Sequence, residues 1–513
     1  MTSQKNTKRI IKNTLYMYIR MGITMLVGLY SSRLILNALG VENYGIYNVV
    51  GSLIVAFTFI SVPLSGATQR FLNYEMGKGD FFKLVKVFNL SFYSFVLLAG
   101  CLFIIIEITG LWYINNKMQL PVGRMNAAVW TFQFTLISFT VNLLKTPFES
   151  LVIANEEFSF YAYLGIAEAL LKLLNALSLS YFSYDVLKVY AANVFLISFF
   201  VFLSFFLFCR KKFKLVGLRY PSKIWDSKLF KEMLSFSGWS LFSGVATITA
   251  TQGVNILINA FFGVVTNAAM GIANQVSACI NMFAVNFQKT FNPQIVKLYA
   301  SENLIEMRMF VSQTSKFSYL LLFMIVCPAI FNMDFILRLW LINPPPEAKI
   351  FCSLLLIWQL LESLMAPMWT SINATGRIKK YHLVMNPIIL SVILLSFASL
   401  KLGYPAYSVI IVKIIVDVVL LIVRLAFVNR MIGLSVLFYI KKTIIPISFV
   451  SFAGSGSLLL FFYFIENDII RLILGTISFL GIFLSSTYLL CLTKEERKIV
   501  SSKISCFLCK KDC

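Results

Sequence analysis

The sequence predicts an all-α integral membrane protein of about fourteen transmembrane helices, with two pseudo-symmetric six-helix lobes followed by two further helices. Three observations support this prediction: an apolar composition, a one-sided distribution of Lys and Arg, and an internal repeat. Together they predict how many helices there are, how they cross the bilayer and how they divide into halves.

The composition excludes an ordinary water-soluble fold. The chain of 513 residues is 59% hydrophobic and 13% charged, with a mean hydropathy of +0.81. One soluble core cannot bury that much apolar surface, so lipid is the expected solvent. The net charge is +23, but the basic residues fall in short clusters between apolar segments, which leaves no domain for nucleic acid. We therefore expect membrane lipid headgroups or an anionic substrate as partners of the basic residues, and no nucleic acid.

The distribution of basic residues predicts the orientation. With the N-terminus inside, about 33 Lys and Arg fall on the cytoplasmic face, about 7 on the outer face and about 5 within spans. The basic N-terminal segment has no small-residue cleavage site after it, so we expect a retained first helix. An even number of spans places both termini in the cytoplasm, and we expect a multi-pass protein of the plasma (inner) membrane.

An internal repeat divides the chain. Residues 34–50 resemble residues 256–276, and further matches fall at a separation of about 220 to 226 residues, as duplicated six-helix halves require. The clearest matched pairs are Asn37 with Asn259, Asn48 with Asn274, Pro147 with Pro367, and Ala154 with Ala374. The predicted divisions are a first lobe (1–209), a basic cytoplasmic linker (210–231), a second lobe (232–430), two appended helices (431–492) and a basic cytoplasmic tail (493–513).

These features resemble those of a known family. The LGxxxYGxY motif within residues 34–52, the PxxxxxxA motif in the fourth helix of each half, the basic linker and the two extra helices resemble the polysaccharide-transport family of flippases. That family belongs to the multidrug, oligosaccharidyl-lipid and polysaccharide exporter superfamily. The resemblance implies a transporter rather than an enzyme, moving undecaprenyl-pyrophosphate-linked oligosaccharide to the outer leaflet by alternating access. For surface polysaccharides such as the O-antigen of lipopolysaccharide, it also implies a polysaccharide polymerase and export machinery as partners.

Basic side chains within or beside the spans are the candidates for a pyrophosphate path. A charge inside a span costs at least about 2.5 to 3.5 kcal/mol, so each one calls for a functional hypothesis. Structural ion pairing and snorkelling to the interface are the competing interpretations. The candidates are Arg20, Arg33, Arg70, Lys145, Lys172, Lys289 and Lys413.

Amides and acids complete the candidate set. Gln252, Asn255 and Asn259 share one helix face and suit a hydroxyl-rich glycan, although interhelical hydrogen bonding explains such a stripe equally well. Glu168 and Asp417 are candidates for ion coupling, with intrahelical pairing to nearby lysines as the alternative. We expect no metal or other cofactor, because the tail cysteines Cys506, Cys509 and Cys513 lack a fourth ligand nearby. A monomer with the path between its own halves is the simplest expectation.

Three other functions remain as alternatives. A multidrug exporter or a peptidoglycan lipid precursor flippase would have the same architecture. A membrane-embedded polysaccharide polymerase would need a positioned acid, base or nucleophile. The one histidine, His382, lies beside a basic cytoplasmic group, where interfacial packing is expected.

Overall fold

The computed structural model describes residues 2–55, 57–116, 118, 123–179, 185–213, 226–341, 345–465, 467–492 and 497. Within these ranges the secondary structure is helical. Most of the predicted linker and the cysteine-containing tail lie outside the described residues.

Fifteen α-helices are found in the described part of the chain. They are α1 (Thr2–Val55), α2 (Thr58–Lys78), α3 (Phe81–Asn116), α4 (Met125–Ala154), α5 (Phe158–Ser178), α6 (Val186–Lys212), α7 (Ser227–Ala300), α8 (Leu304–Phe331), α9 (Met333–Leu341), α10 (Ala348–Thr375), α11 (Lys379–Lys401), α12 (Ser408–Ile432), α13 (Val436–Tyr439), α14 (Ile445–Phe464) and α15 (Asp468–Ser486). Short π-helical segments, Ile440–Ile444 and Thr487–Cys491, precede α14 and follow α15.

The helices agree with the predicted fourteen spans. Among the described residues, ten helical stretches are long and apolar enough to cross a membrane. Four predicted spans are missing from these ten: the first part of α1, its continuation through α2, the second part of α7, and α12. Helix α12 has the length but carries Lys413, Asp417, Arg424 and Arg430. The all-α, multi-pass fold class is thus confirmed.

Two glycines bend the long helices at equivalent places in the repeat. Gly40 interrupts α1 with φ 72° and ψ 167°, and Gly263 interrupts α7 with φ 76° and ψ −167°. This combination of dihedral angles is essentially restricted to glycine. Each glycine follows its half's matched asparagine, Asn37 or Asn259, by three or four residues. The matched stretches of the two halves therefore share this backbone break.

The described helices form two compact units. Unit 1 contains Met1–Gly244 and Lys289–Glu302, and unit 2 contains Val245–Gln288 and Asn303–Cys513. The C-terminal end of α7 thus belongs to unit 1, although in sequence it lies in the second half of the repeat.

Aromatic and aliphatic side chains form the core of unit 1. Phe95, Phe132 and Leu136 are completely buried between α3 and α4, together with neighbouring residues of α1 and α6. The ring of Phe132 lies directly against Gly110, where any larger side chain would collide with it.

In unit 2 the two appended helices pack on α8. The Ser312 and Thr443 hydroxyls are 2.6 Å apart, and the Tyr319 and Ser451 hydroxyls are 2.9 Å apart. The Phe323 and Phe479 rings meet at a centroid distance of 5.8 Å. Polar contacts between helices, together with ring packing, therefore fix α14 and α15 to the second lobe.

The acid in the predicted basic linker has a structural role. Asp226 caps α7 by accepting hydrogen bonds of 3.1 Å from the backbone N–H groups of Lys228 and Leu229. The backbone N–H of Leu229 is the main cause that holds the pKa of Asp226 below its usual value. The carboxylate thus marks where α7 begins.

We predict that Gly263→Ala lowers the free energy of unfolding by about 1 to 3 kcal/mol, because no L residue adopts its φ and ψ without strain. No neighbouring atom lies within 4 Å of a Cβ built at Gly263, so the cost is confined to the backbone. Thermal unfolding of the purified protein in detergent measures the change. Gly238→Ala, at an open site within the same helix, is the matched control and should be neutral or slightly stabilising. Equal melting of both variants would contradict the assignment.

Candidate anion-binding site

One face of α5 carries the residues around which the candidate site is built. Tyr161, Gly165, Glu168 and Lys172 follow one another at intervals of four, three and four residues, which brings them onto a single helix face. Helices α1 and α4 and the end of α7 supply the remaining side chains. All of these elements belong to unit 1.

Tyr161 makes the central contacts. Its hydroxyl donates to Glu149 Oε1 at 3.0 Å and accepts from Lys289 Nζ at 3.2 Å. The Arg20 guanidinium lies over its ring, 4.3 Å from the centroid. Only 6% of Tyr161 is exposed. One phenol thus orients two cations and one carboxylate from three other helices, using its ring for one cation and its oxygen for the other.

Gly165 leaves the space that the Arg20 side chain occupies. A Cβ at Gly165 would overlap the Arg20 side chain, so any larger residue would displace the guanidinium. Arg20 Nε is buried without a hydrogen-bond partner. Within the part of the chain that the structure describes, neither Arg20 nor Lys289 forms an ion pair with a carboxylate.

Two acids partly neutralise the surrounding cations. Glu149 lies 3.8 Å from Lys145, and Glu168 lies 2.6 Å from Lys172. Glu168 also interacts electrostatically with Lys145 and Arg20.

We call this group the Tyr161 cluster. It combines four cations with two carboxylates, which leaves two positive charges in excess, and its members are Arg20, Lys145, Glu149, Tyr161, Glu168, Lys172 and Lys289. Four of the seven basic residues predicted to line a pyrophosphate path are therefore brought together. An excess of two charges among membrane-spanning helices suits an anionic ligand.

The other two predicted cations of the first lobe are placed differently. Arg70 lies among the rings of Phe71, Tyr74 and Phe236, at centroid distances of 4.5, 5.1 and 5.4 Å. Arg33 is on α1, and its side chain lies outside the described residues.

In unit 2, Lys413 and Asp417 meet a tryptophan of α10. Lys413 Nζ lies 3.5 Å from the centroid of the Trp358 ring, and the indole N–H of Trp358 donates to Asp417. Asp417 is buried. This pair therefore packs on a neighbouring helix of unit 2.

The predicted amide stripe lies on the first part of α7. Asn255 donates to Gln252 at 3.3 Å, and Asn255 Oδ1 is buried without a partner. Gln252 and Asn259 are exposed. The three amides retain free hydrogen-bonding capacity for a polar ligand.

Tyr161 was not among the residues predicted from the sequence, although the repeat contains a signal for it. It lies 220 residues before Tyr381, the same separation as between Pro147 and Pro367. Tyr381 also receives an arginine, because Arg424 Nε donates to its hydroxyl at 2.8 Å. A tyrosine with an arginine partner is thus duplicated, whereas the acidic Glu149 occurs in the first half alone, with Trp369 as its counterpart.

The histidine expected at the interface is instead buried. His382 is completely inaccessible and lies against the rings of Trp369 and Tyr381, at centroid distances of 5.2 and 5.5 Å. The cysteine tail lies outside the described residues. No group of His, Cys, Asp or Glu arranged to hold a metal is found among the residues that are described.

Comparison with solved structures identifies the fold as that of a membrane transporter. More narrowly, it is the fold of the MATE family transporters of the MOP superfamily. No family model matches the sequence, and no curated protein matches it.

Three solved structures illustrate the likeness. An outward-facing multidrug resistance MATE transporter matches with a TM-score of 0.67 at 14% identity, over 83% of this chain and 96% of its own. A Vibrio cholerae MATE transporter matches with a TM-score of 0.61 at 16% identity, over 86% of this chain and 100% of its own. A MOP superfamily transporter from Pyrococcus furiosus matches with a TM-score of 0.68 at 14% identity, over 83% of this chain and 96% of its own. The reverse polarity of its binding pocket suggests a different function for that protein.

We predict that Tyr161→Phe and Glu149→Ala have non-additive effects on stability, because each substitution removes the hydrogen bond from the Tyr161 hydroxyl to Glu149. A double-mutant cycle measured by thermal unfolding should give a coupling free energy of about 0.6 kcal/mol, the typical value for hydrogen bonds between membrane helices. Tyr463→Phe, at a position that is 84% exposed, should combine additively with Glu149→Ala. Additive effects in the first pair would show that the contact contributes nothing.

Proposed function

We propose that the chain is a flippase that moves undecaprenyl-pyrophosphate-linked oligosaccharide from the cytoplasmic to the outer leaflet of the plasma membrane by alternating access, for surface polysaccharide assembly. The observation that supports this proposal most is the excess positive charge of the Tyr161 cluster. The transporter fold is the framework on which the proposal rests.

The pyrophosphate would bind where cations lack carboxylate partners. A pyrophosphate diester carries about two negative charges, which matches the excess in the cluster. Arg20 and Lys289 approach Tyr161 from α1 and α7. Each presents donors for charge-assisted hydrogen bonds to phosphate oxygens. Lys145 and Lys172 remain neutralised by Glu149 and Glu168 and would adjust the local field.

The glycan and the lipid tail need different surroundings. Gln252 and Asn259 are exposed polar groups on α7, suited to sugar hydroxyls. A polyprenyl tail needs no polar path, since it remains in lipid as the headgroup crosses.

The membrane potential supplies a driving force for export. Moving two negative charges outward across an inside-negative membrane is favourable by about 2.3 kcal/mol per charge per 100 mV. Glu168 and Asp417 remain the candidates for coupling to a cation. Glu168 is already paired with Lys172 at 2.6 Å, so Asp417 is the first acid to replace in a test of ion dependence.

A multidrug exporter is the alternative that the fold comparisons favour, because a multidrug resistance MATE transporter is among the similar structures. A site for cationic drugs needs an excess of acids in the membrane, and the Tyr161 cluster has the opposite charge. The Pyrococcus furiosus transporter, with its reverse pocket polarity, indicates that this fold tolerates pockets of different charge. A peptidoglycan lipid precursor also carries pyrophosphate and would use the same cations, so the glycan distinguishes it.

We predict that Arg20→Ala and Lys289→Ala each weaken binding of undecaprenyl pyrophosphate by roughly tenfold to a hundredfold, the range expected for losing one charged hydrogen-bond donor. Binding to the full-length protein in detergent or nanodiscs provides the measurement. Lys83→Ala, which removes a surface cation 3.2 Å from Asp80, is the matched control and should bind normally.

A glycine substitution tests the same site without removing a charge. Gly165→Ala should displace the Arg20 guanidinium and weaken binding, whereas Gly100→Ala, at an open site on α3, should not. Normal affinity in Arg20→Ala, Lys289→Ala and Gly165→Ala together would rule out the Tyr161 cluster as the pyrophosphate site.

The decisive test of function is deletion of the gene, followed by mass spectrometry of lipid-linked oligosaccharides. We predict that lipid-linked repeat units accumulate on the cytoplasmic side of the deletion strain and that the wild-type gene clears them. Absence of accumulation, combined with increased sensitivity to cationic dyes, would instead favour the multidrug exporter.

A further inference from the structure

We propose that Glu156 is a bolt that holds the C-terminal end of α7 against the rest of unit 1, and that release of this bolt moves Lys289 away from the Tyr161 cluster. The contacts of Glu156 are observed in the structure and do not depend on the proposed function. The consequence for ligand binding rests on the proposed function.

Three donors converge on Glu156. Arg9 and Lys297 each lie 2.8 Å from its carboxylate, and Gln294 donates to Oε2 at 3.2 Å. The Glu156 side chain is 1% exposed. Arg9 comes from the first turns of α1, Glu156 from the turn between α4 and α5, and the other two from α7. Removing the carboxylate would leave the Lys297 ammonium without its partner, which is energetically costly. The contact therefore opposes separation of α7 from the turn between α4 and α5.

The backbone at Glu156 has a conformation that glycine adopts more easily. Its φ is 61°, in the left-handed region that favours glycine. The equivalent residue of the second half, 220 positions later, is Gly376 with φ 75°. The second half thus makes the same turn with the unstrained residue. The first half keeps a glutamate despite the strain, and the contacts of its carboxylate are what distinguish the two turns.

The helices around the bolt are tightly closed. A Cβ at Gly77 of α2 would lie 2.6 Å from the Lys297 carbonyl oxygen, so the two helices meet at backbone distance. The Thr14 and Thr290 hydroxyls of α1 and α7 are 3.2 Å apart. A polar headgroup entering from this end, the predicted cytoplasmic one, requires that α7 separate from α1 and α2.

Helix α7 connects the bolt to the candidate site. Lys289 precedes Lys297 by eight residues, or about 12 Å along one continuous helix. Lys289 Nζ reaches the Tyr161 hydroxyl at 3.2 Å only while this end of α7 stays in place. Glu156 is therefore a positioning residue for Lys289, and the two contacts form and break together.

Thiol labelling of a buried position on α7 tests the bolt. Thr290 is fully buried, so the thiol of a Thr290→Cys variant should react slowly with N-ethylmaleimide in proteoliposomes. Adding Glu156→Gly, which suits the local φ, should raise labelling of that thiol by about five- to thirtyfold, as quantified by peptide mass spectrometry. Glu157→Gln, which removes the neighbouring carboxylate 2.6 Å from Lys212, is the matched control and should leave labelling unchanged.

Native cysteines serve as internal references. Cys209 and Cys352 are completely buried and should stay protected in every variant. An unchanged rate at position 290 in the Glu156→Gly background would overturn the proposal. Equal exposure of Cys209 and Cys352 would overturn it as well, because it reports loss of the fold rather than release of one contact.

Ligand binding separates the bolt from the proposed function. If both are correct, Lys289→Ala should weaken undecaprenyl pyrophosphate binding in the wild-type background and have less effect in the Glu156→Gly background. Faster labelling with no binding by the wild type would support the bolt and remove the proposed substrate. Binding without any labelling change would support the substrate and remove the bolt.

Discussion

The arrangement of unit 1 depends on one requirement, that cations among membrane helices obtain compensation within the protein. Tyr161 provides much of it, through the face of its ring for Arg20 and through its oxygen for Lys289. Compensation by a neutral phenol leaves the positive charge in place, unlike compensation by a carboxylate. Unit 1 can therefore hold two cations stably and still offer their charge to a ligand.

The duplicated second lobe solves the same problem in a different way. Tyr381 accepts from Arg424 and packs against Trp369 and the buried His382. Arg424 thus takes part in packing between helices. The first half thus has a polar site where the second half has packed rings.

Much of the fold was predictable because it follows from local chemistry. Apolar length fixed the spans, and matched residues near Asn37 and Asn259 located the repeat before Gly40 and Gly263 were seen to bend equivalently. Arg20, Lys145, Lys172 and Lys289 were identifiable as costly charges, but their convergence on Tyr161 was not. Contacts between α1, α5 and the end of α7 join positions more than a hundred residues apart, and periodicity within one helix carries no information about them.

The membership of residues 289–302 in unit 1 has a consequence for how the chain can be divided. A fragment cut at the basic linker would lack the donors Gln294 and Lys297 and would leave the carboxylate of Glu156 facing Arg9 alone. The boundary between the two sequence repeats is therefore not the boundary between the two compact units. Two half-length polypeptides synthesised separately would have to assemble with each other before the first one could complete its own core.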